Sequence, residues 1–529
     1  MKKYILYAVG IFLITVAFSS NDNPKISDRL EGKLQKTMPA NINVWVYLSD
    51  KNLSDNDLIK TIEHVQSEMD THTLWRRSKT RQGDLADFKD IPVSQDYIRQ
   101  IIETGAQLRA TSKWLNAVSI SAGPKEIHQI AELPFVEKLD IVLGGKRIEP
   151  TIEIDQNEYF GPRTDYGDSY DQLNQINVIA AHEAGYTGQG IIVLMLDTGF
   201  YTDHESIHED QIIAEWDFIN NDGETQNEPG DPENSHNHGT YTLSTLGGSF
   251  EGQLYGPAYN SQFLIAKTED VSQEVPIEED WFVAGLEWGE SLGADVASSS
   301  LGYIDWYMFE DLDGQTAVTT IAVNIAIENG MVVATAAGNA GAGGLIAPAD
   351  AFNVLTCGAV NSDGEIAGFS SWGPTADGRI KPDICARGVA TRCADITSPE
   401  SYREANGTSL STPLVGGAAA VILSARPSWT PLQVREALMM TASNTDSPDN
   451  QYGWGIIDVM AAIHYFDGNG DVNFDNVLDV LDVVIVINYI LGVIIPDEGQ
   501  LLVGDMNQDG LLDVVDIVQM VSIIIGETQ

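Results

Sequence analysis

The sequence predicts an α/β fold built in three layers, a parallel sheet with helices covering both faces. Three observations predict it. Between residues 170 and 465, runs of strand length alternate with runs of helical length, the chain order of a parallel sheet with crossover helices. The strand runs are apolar along their length, as strands buried on both faces are. Asp197, Gly302 and Asn339 each stand at the carboxyl end of such a run, where sheets of this kind gather their ligand crevices.

Residues 1–20, MKKYILYAVGIFLITVAFSS, join two lysines to an apolar core and then small residues at Ala17 and Ser19. This is the pattern of a secretory signal cut near residues 19–21; the alternative is an uncleaved membrane anchor. No other run is long and uncharged enough to span a bilayer. Residues 21–150 form a small α+β unit. NINVWVYL is a strand by its alternation and β-branching. Leu53 to Thr111 carries helical spacing and eight basic residues. WLNAVSISA then reads as a strand, PKEIHQIAEL as a helix and VEKLDIVLGG as a closing strand. Residues 151–169 lie in the stretch EPTIEIDQNEYFGPRTDYGDSYDQ, polar and rich in Asp, Gly and Pro, the composition of a linker.

In the 170–465 segment, GIIVLMLDTG, NSQFLIAKTED, ADVASSSLG, MVVATAAGN and NVLTCGAV are the strands. EEDWFVAGLEWGESLG and TAVTTIAVNIAIENG are helices, the second stopped by Gly330. VGGAAAVILSA, after NGTSLSTP, is a helix of small and aliphatic residues fit only for the interior. Ser409 stands at its mouth, at the positive end of its dipole, where a developing anion is stabilised.

The chain carries 29 Lys and Arg against 77 Asp and Glu, a net charge of −48. Such a surface repels phosphate backbones, so nucleic acid is excluded as a partner. Residues 1–150 hold 20 of the basic and 19 of the acidic residues, so the remainder is intensely acidic. That suits an exported protein, or a salty or calcium-rich medium that screens self-repulsion. The three cysteines make no disulfide framework. Cys385 and Cys393 could close a short loop, and Cys357 reads as a buried thiol.

An aspartate, a histidine and a serine, in the order Asp197, His238, Ser409, is one chain order of a Ser-His-Asp triad. A serine hydroxyl needs a base, a histidine can supply it, and an aspartate fixes the imidazole tautomer. Each residue also has a plain reading: a strand-end turn for Asp197, metal binding for His238 with His204, His208 and His236, and a helix cap for Ser409. No GxSxG or HExxH string is present, against two other hydrolase architectures.

DTG at 197–199, HGT at 238–240, SSSLG at 298–302, AAGN at 336–339, SSWGPTADGRIKPDI at 370–384 and GTSLSTP at 407–413 stand in the order of the landmarks of subtilisin-like serine proteases. The segment resembles that family over about 290 residues. The resemblance implies a secreted serine endopeptidase acting on protein or peptide substrates through an acyl-enzyme. It implies Asp197, His238 and Ser409 as the triad and Asn339 as oxyanion donor. Ser300, Leu301 and Gly302 would pair with the substrate backbone, with Ala336, Ala337 and Gly338 as the facing pocket wall. The α+β unit resembles the family's inhibitory prodomain, an intramolecular inhibitor, and 151–169 its processing linker. The chain departs from the family at Arg387, where proline is common.

Residues 466–529 contain no Lys, Arg or His and hold an internal repeat, GDVNFDNVLDVLD and GDMNQDGLLDVVD. Acidic or amide side chains fall at loop positions one, three, five, nine and twelve. Such oxygens can wrap one Ca²⁺ per loop, with a backbone carbonyl at position seven. The ligands are Asp471, Asn473, Asp475, Val477, Asp479 and Asp482, then Asp505, Asn507, Asp509, Leu511, Asp513 and Asp516. Two calcium ions are expected, holding a small all-α module together. Aspartate at position twelve, one loop and helix per repeat and the about 35-residue spacing resemble a dockerin type I module. That resemblance implies a cohesin-like or surface docking partner. The positions such modules use for a cohesin are polar in that family and here are Val480, Leu481, Val514 and Val515. The competing class is a non-catalytic extracellular binding protein that keeps the protease fold and docks through its tail.

Overall fold

A computed structural model describes residues 23–36, 41–142, 165–272, 277–304, 307–475, 477–507 and 510–525. The signal sequence, most of the linker, Asn476 and Asp509 lie outside them.

The N-terminal unit is a four-stranded antiparallel sheet in the order Gln107–Ser112, Ala117–Ala122, Ile42–Leu48, Val136–Ile141. The alternation of NINVWVYL puts Val44 and Val46 into a core with Ile120, Leu139 and the helices Gln95–Glu103 and Pro124–Ala131. The first strand of that sheet was not expected, since Leu53 to Thr111 reads as helical. QLRATS is a polar edge strand with little burial, so apolar periodicity has nothing to mark. The strand expected from Trp114 starts at Ala117, because Lys113–Asn116 is a turn closed through Asn116 in the left-handed region.

The central segment is a seven-stranded sheet whose pairings are all parallel. Its spatial order is Ile384–Arg387, Leu355–Val360, Val332–Ala336, Val296–Ser299, Ile192–Asp197, Gln262–Lys267, Ile212–Asp217. Alternate residues of each strand face opposite helical layers. Val193 and Met195 meet the helices Asn237–Gly247 and Thr408–Ala425. Leu194 and Leu196 meet Ile277–Ser291 and Val318–Glu328. Among the elements that the sequence pattern does not mark are the edge strand Ile212–Asp217, the strand Ile384–Arg387 and the helix Asn237–Gly247. NHGTYTLSTLG is rich in Thr and Gly and buried on nearly all sides, so it shows neither helix propensity nor an amphipathic stripe.

Thr408–Ala425 corrects the membrane reading. By length and composition it could cross a bilayer, yet 89% of it is buried inside the protein. Its glycines permit that position: a Cβ on Gly416 would lie 3.1 Å from Ser298 Cβ and 3.3 Å from Leu246 Cδ1. The three cysteines are buried free thiols. Cys385 and Cys393 therefore do not close a loop.

The N-terminal sheet lies on the helix Ile277–Ser291. Arg76, fully buried, donates to the carbonyls of Glu290, Ala294 and Asn329, so one guanidinium satisfies carbonyls that the last helical turns leave open. Arg77 bridges Glu290 and Asp90 at 2.8 Å. Asp280 takes a hydrogen bond from Ser119 at 2.6 Å and an ion pair from Arg109 at 3.1 Å.

At the C-terminus the helices Val480–Ile490 and Val514–Ile524 pack on each other, each opened by an aspartate capping box. A third helix, Glu498–Gly504, joins them. The module is continuous with the central core through edge-on contacts of Phe466 with Trp429 and Phe474.

Candidate active site

Asp197 is the last residue of its strand and is fully buried. One carboxylate oxygen accepts from Thr198 N and faces His238 Nδ1 at 2.7 Å. The other accepts from Thr242 Oγ1 at 2.9 Å. Thr242 lies four residues after His238, on the same helical face, so two side chains of one turn clasp one carboxylate. That spacing is the sequence signal by which Thr242 could have been found. His238 enters from the first turn of its helix. The helix comes close because residue 239 is glycine, whose added Cβ would sit 2.1 Å from Gly199 O.

Ser409 is the second residue of Thr408–Ala425 and 4% exposed. Leu410 packs in one cluster with Tyr241, and Gly416 lies against Leu246. Contacts at these two levels make the helices run in the same direction, with Ser409 and His238 at their common open end. Among the described residues His238 hydrogen-bonds Asp197 alone. In unliganded sites the bond between base and nucleophile commonly tightens only on substrate binding.

Asn339 follows the strand Val332–Ala336. Its Oδ1 accepts from Thr408 N at 2.9 Å and Thr408 Oγ1 at 3.1 Å. That fixes which end of the amide is which and leaves Nδ2 to face the cleft. Gly407, with φ 146°, sits between: a Cβ there would lie 3.6 Å from Ser409 N and 3.7 Å from Asn339 Nδ2. A backbone only glycine adopts thus keeps open a hollow bordered by two N–H donors. Thr408 was not singled out from sequence, because its part appears only once Asn339 is brought against it.

The expected pocket residues flank this hollow. Ser300 Oγ donates to Ser409 O at 2.9 Å. Leu301, Ala336, Ala337 and Gly338 are buried, while Gly302 and Asn339 are partly exposed. The metal reading of the histidines does not hold. His204 engages Ser206 Oγ and Ser401 O, and His208 engages Ser249 O. His236 accepts from Asn227 N, and burial holds the His204 and His236 imidazoles below their usual pKa.

At position twelve the two C-terminal loops share one wiring. Asp482 accepts from Asn473 N and Asp479 N. Asp516, its counterpart, accepts from Asn507 N and Asp513 N. Asp471 accepts from Asp475 N, and Asp505 from Gly510 N. Among the described residues no three acidic, histidine or cysteine side chains converge as metal ligands. The donor set still suits calcium: it is all oxygen, and Asp482 and Asp516 are fully buried in a segment without a basic side chain.

Comparison with known proteins gives three family matches: the Subtilase family over residues 188–455, the Peptidase S8 propeptide domain of Bacteroidota over 43–157, and the Dockerin type I domain over 469–524. Subtilisin E of Bacillus subtilis (strain 168) is 31% identical over 370 residues, covering 68% of this chain and 84% of its own length. Subtilisin of Bacillus pumilus is 34% identical over 298 residues, 55% of this chain and 97% of its own. Subtilisin Savinase of Lederbergia lenta is 33% identical over 296 residues, again 55% and 97%.

Proposed function

The chain belongs to the subtilase family and is a subtilisin-like serine endopeptidase with a propeptide and a dockerin module; from that premise we propose that Asp197, His238 and Ser409 are its triad and that it matures by its own action. His238 takes the Ser409 proton as the hydroxyl attacks the peptide carbonyl, and later returns a proton to the leaving amine. Asp197, held by Thr198 N and Thr242 Oγ1, keeps the imidazole in the right tautomer and stabilises its charged form. Asn339 Nδ2 and Ser409 N receive the oxyanion in the hollow at Gly407. Donors placed before the reaction begins act where charge develops and need no reorganisation. The carrying observation is the joint placement of the 2.7 Å Asp197–His238 contact and the amide of Asn339 locked by Thr408.

The N-terminal unit serves as folding aid and intramolecular inhibitor until cut in the 151–169 linker, and the signal sequence directs the protein out of the cell. The C-terminal loops hold two calcium ions through Asp471, Asn473, Asp475, Val477, Asp479 and Asp482, and through Asp505, Asn507, Asp509, Leu511, Asp513 and Asp516. Calcium would supply the positive charge that lets buried carboxylates lie side by side. The module docks through an apolar surface: Val480, Leu481, Val514 and Val515 are each about half exposed or more, which fits an apolar partner face better than a polar one. Intact mass of the expressed wild type beside Ser409→Ala tests the reading. Loss of a roughly 15 kDa N-terminal piece by wild type alone supports it; identical masses for the two proteins overturn self-processing.

A further inference from the structure

Resting on the peptidase reading above, we propose that Ile346 plugs the pocket for the residue preceding the cut bond, making the enzyme selective for glycine or alanine there. The attacked carbonyl lies between Asn339 Nδ2 and Ser409 N, so the side chain next to it falls within one residue's reach of Ser409. Two segments border that space. Ser300–Gly302 is tied to Ser409 by the Ser300 hydroxyl, and Ala336–Gly338 leads into Asn339. Each segment carries a glycine, and the Ile346 side chain lies against both. A Cβ on Gly302 would lie 2.2 Å from Ile346 Cδ1 and 2.5 Å from its Cγ1. One on Gly338 would lie 2.8 Å from Ser371 Oγ, 3.1 Å from Ile346 Cγ2 and 3.4 Å from its Cγ1. The glycines thus make room for an isoleucine of the protein itself and not for a substrate side chain.

Ile346 is held in this position. Its N–H donates to Ala337 O at 3.3 Å, and the next residue, Ala347, exchanges hydrogen bonds of 2.8 and 2.9 Å with Tyr303. The residue is therefore stitched to both walls. Its β-branched side chain has few rotamers into which to retreat. It is partly exposed, as expected of a plug whose outer end faces the cleft. An aromatic side chain arriving there meets the Ile346 methyl groups and must displace the backbone; a hydrogen or a methyl group need not.

The test compares kcat/KM of the matured full chain on peptide anilides that differ only in that residue, alanine or phenylalanine, for wild type, Ile346→Ala and Ile346→Gly. The expected result is a wild-type preference for alanine of at least about tenfold, falling stepwise in Ile346→Ala and Ile346→Gly as phenylalanine gains access. Equal wild-type cleavage of both peptides, or a ratio unmoved in both variants, overturns the proposal. If no protein cleaves either peptide, the peptidase reading itself has failed. The pocket is then read from equilibrium binding of peptide acids ending in alanine or phenylalanine to the full chain. Preference for alanine that is lost in Ile346→Gly upholds the plug, and equal affinity overturns it.

Discussion

At the scale of single residues, the cleft depends on orientation more than on identity. An asparagine amide has a donating end and an accepting end, and only the first is useful to an oxyanion. Thr408 decides which end faces the cleft by occupying Oδ1 with both its N–H and its hydroxyl. Replacing Asn339 by alanine removes one of two donors and should lower kcat by roughly 100- to 1,000-fold with KM little changed. Steady-state kinetics on a peptide anilide would read this, and a variant within tenfold of wild type would exclude Asn339 as an oxyanion donor. Thr242 holds Asp197 through its hydroxyl, so in the proposed triad it is a positioning residue.

At the scale of elements, the helix Ile277–Ser291 is where the N-terminal unit is held. Its carboxyl end offers the carbonyls that Arg76 caps, and its acidic face meets Arg109 and the backbone N–H groups of Lys113 and Trp114. Substituting Arg76 by alanine takes their donor from the carbonyls of Ala294 and Asn329, while Glu290 O keeps Gly293 N. Hydrogen bonds from a charged group contribute about 1.5–3 kcal/mol, so the released N-terminal unit should bind the Ser409→Ala central segment roughly ten- to a hundredfold more weakly. Titration calorimetry of the two pieces gives the number; unchanged affinity would remove Arg76 from the interface energetics.

At the scale of the whole molecule, two couplings follow. The first is to pH. Burial under the N-terminal sheet pushes the Asp280 carboxyl up to about 6, against the pull of Arg109, and burial raises Glu287 too, against its hydrogen bond from Ser112. A carboxyl whose pKa is higher in the bound form makes that form take up protons, so the N-terminal unit is held more tightly in acid. The burial cost of the ionised form is relieved as pH falls through 6. Burial holds Lys79 at about 8, so its titration lies above this window. Affinity should therefore drop about tenfold or more from pH 5 to pH 7.5, and equal or tighter binding at pH 7.5 would contradict the sign. The second coupling is to calcium. Chelation should remove helical circular dichroism attributable to Val480–Ile490 and Val514–Ile524, and added calcium should restore it. A spectrum indifferent to calcium would mean the loops are held by their backbone wiring alone.

By itself the sequence determined the three-layer α/β class, the runs that form most of its main strands and the candidates for the cleft. Those are properties of local pattern: buried strands are apolar throughout, and Asp197, His238, Asn339 and Ser409 stand in short strings of recognisable order. The repeat at 470–482 and 504–516 was legible for the same reason, since oxygen donors at fixed loop spacing are a one-dimensional signal. Tertiary structure alone decided the rest. The helix bearing His238 and the polar edge strand Gln107–Ser112 lack any amphipathic stripe, so their form comes from what they pack against. Cys385 and Cys393 lie near each other in sequence, yet each is buried as a free thiol on its own strand. Thr408 acquires its hold on Asn339, and Ile346 its place between Gly302 and Gly338, only when residues far apart in the chain are folded together, because contacts of that range depend on the packing of whole elements.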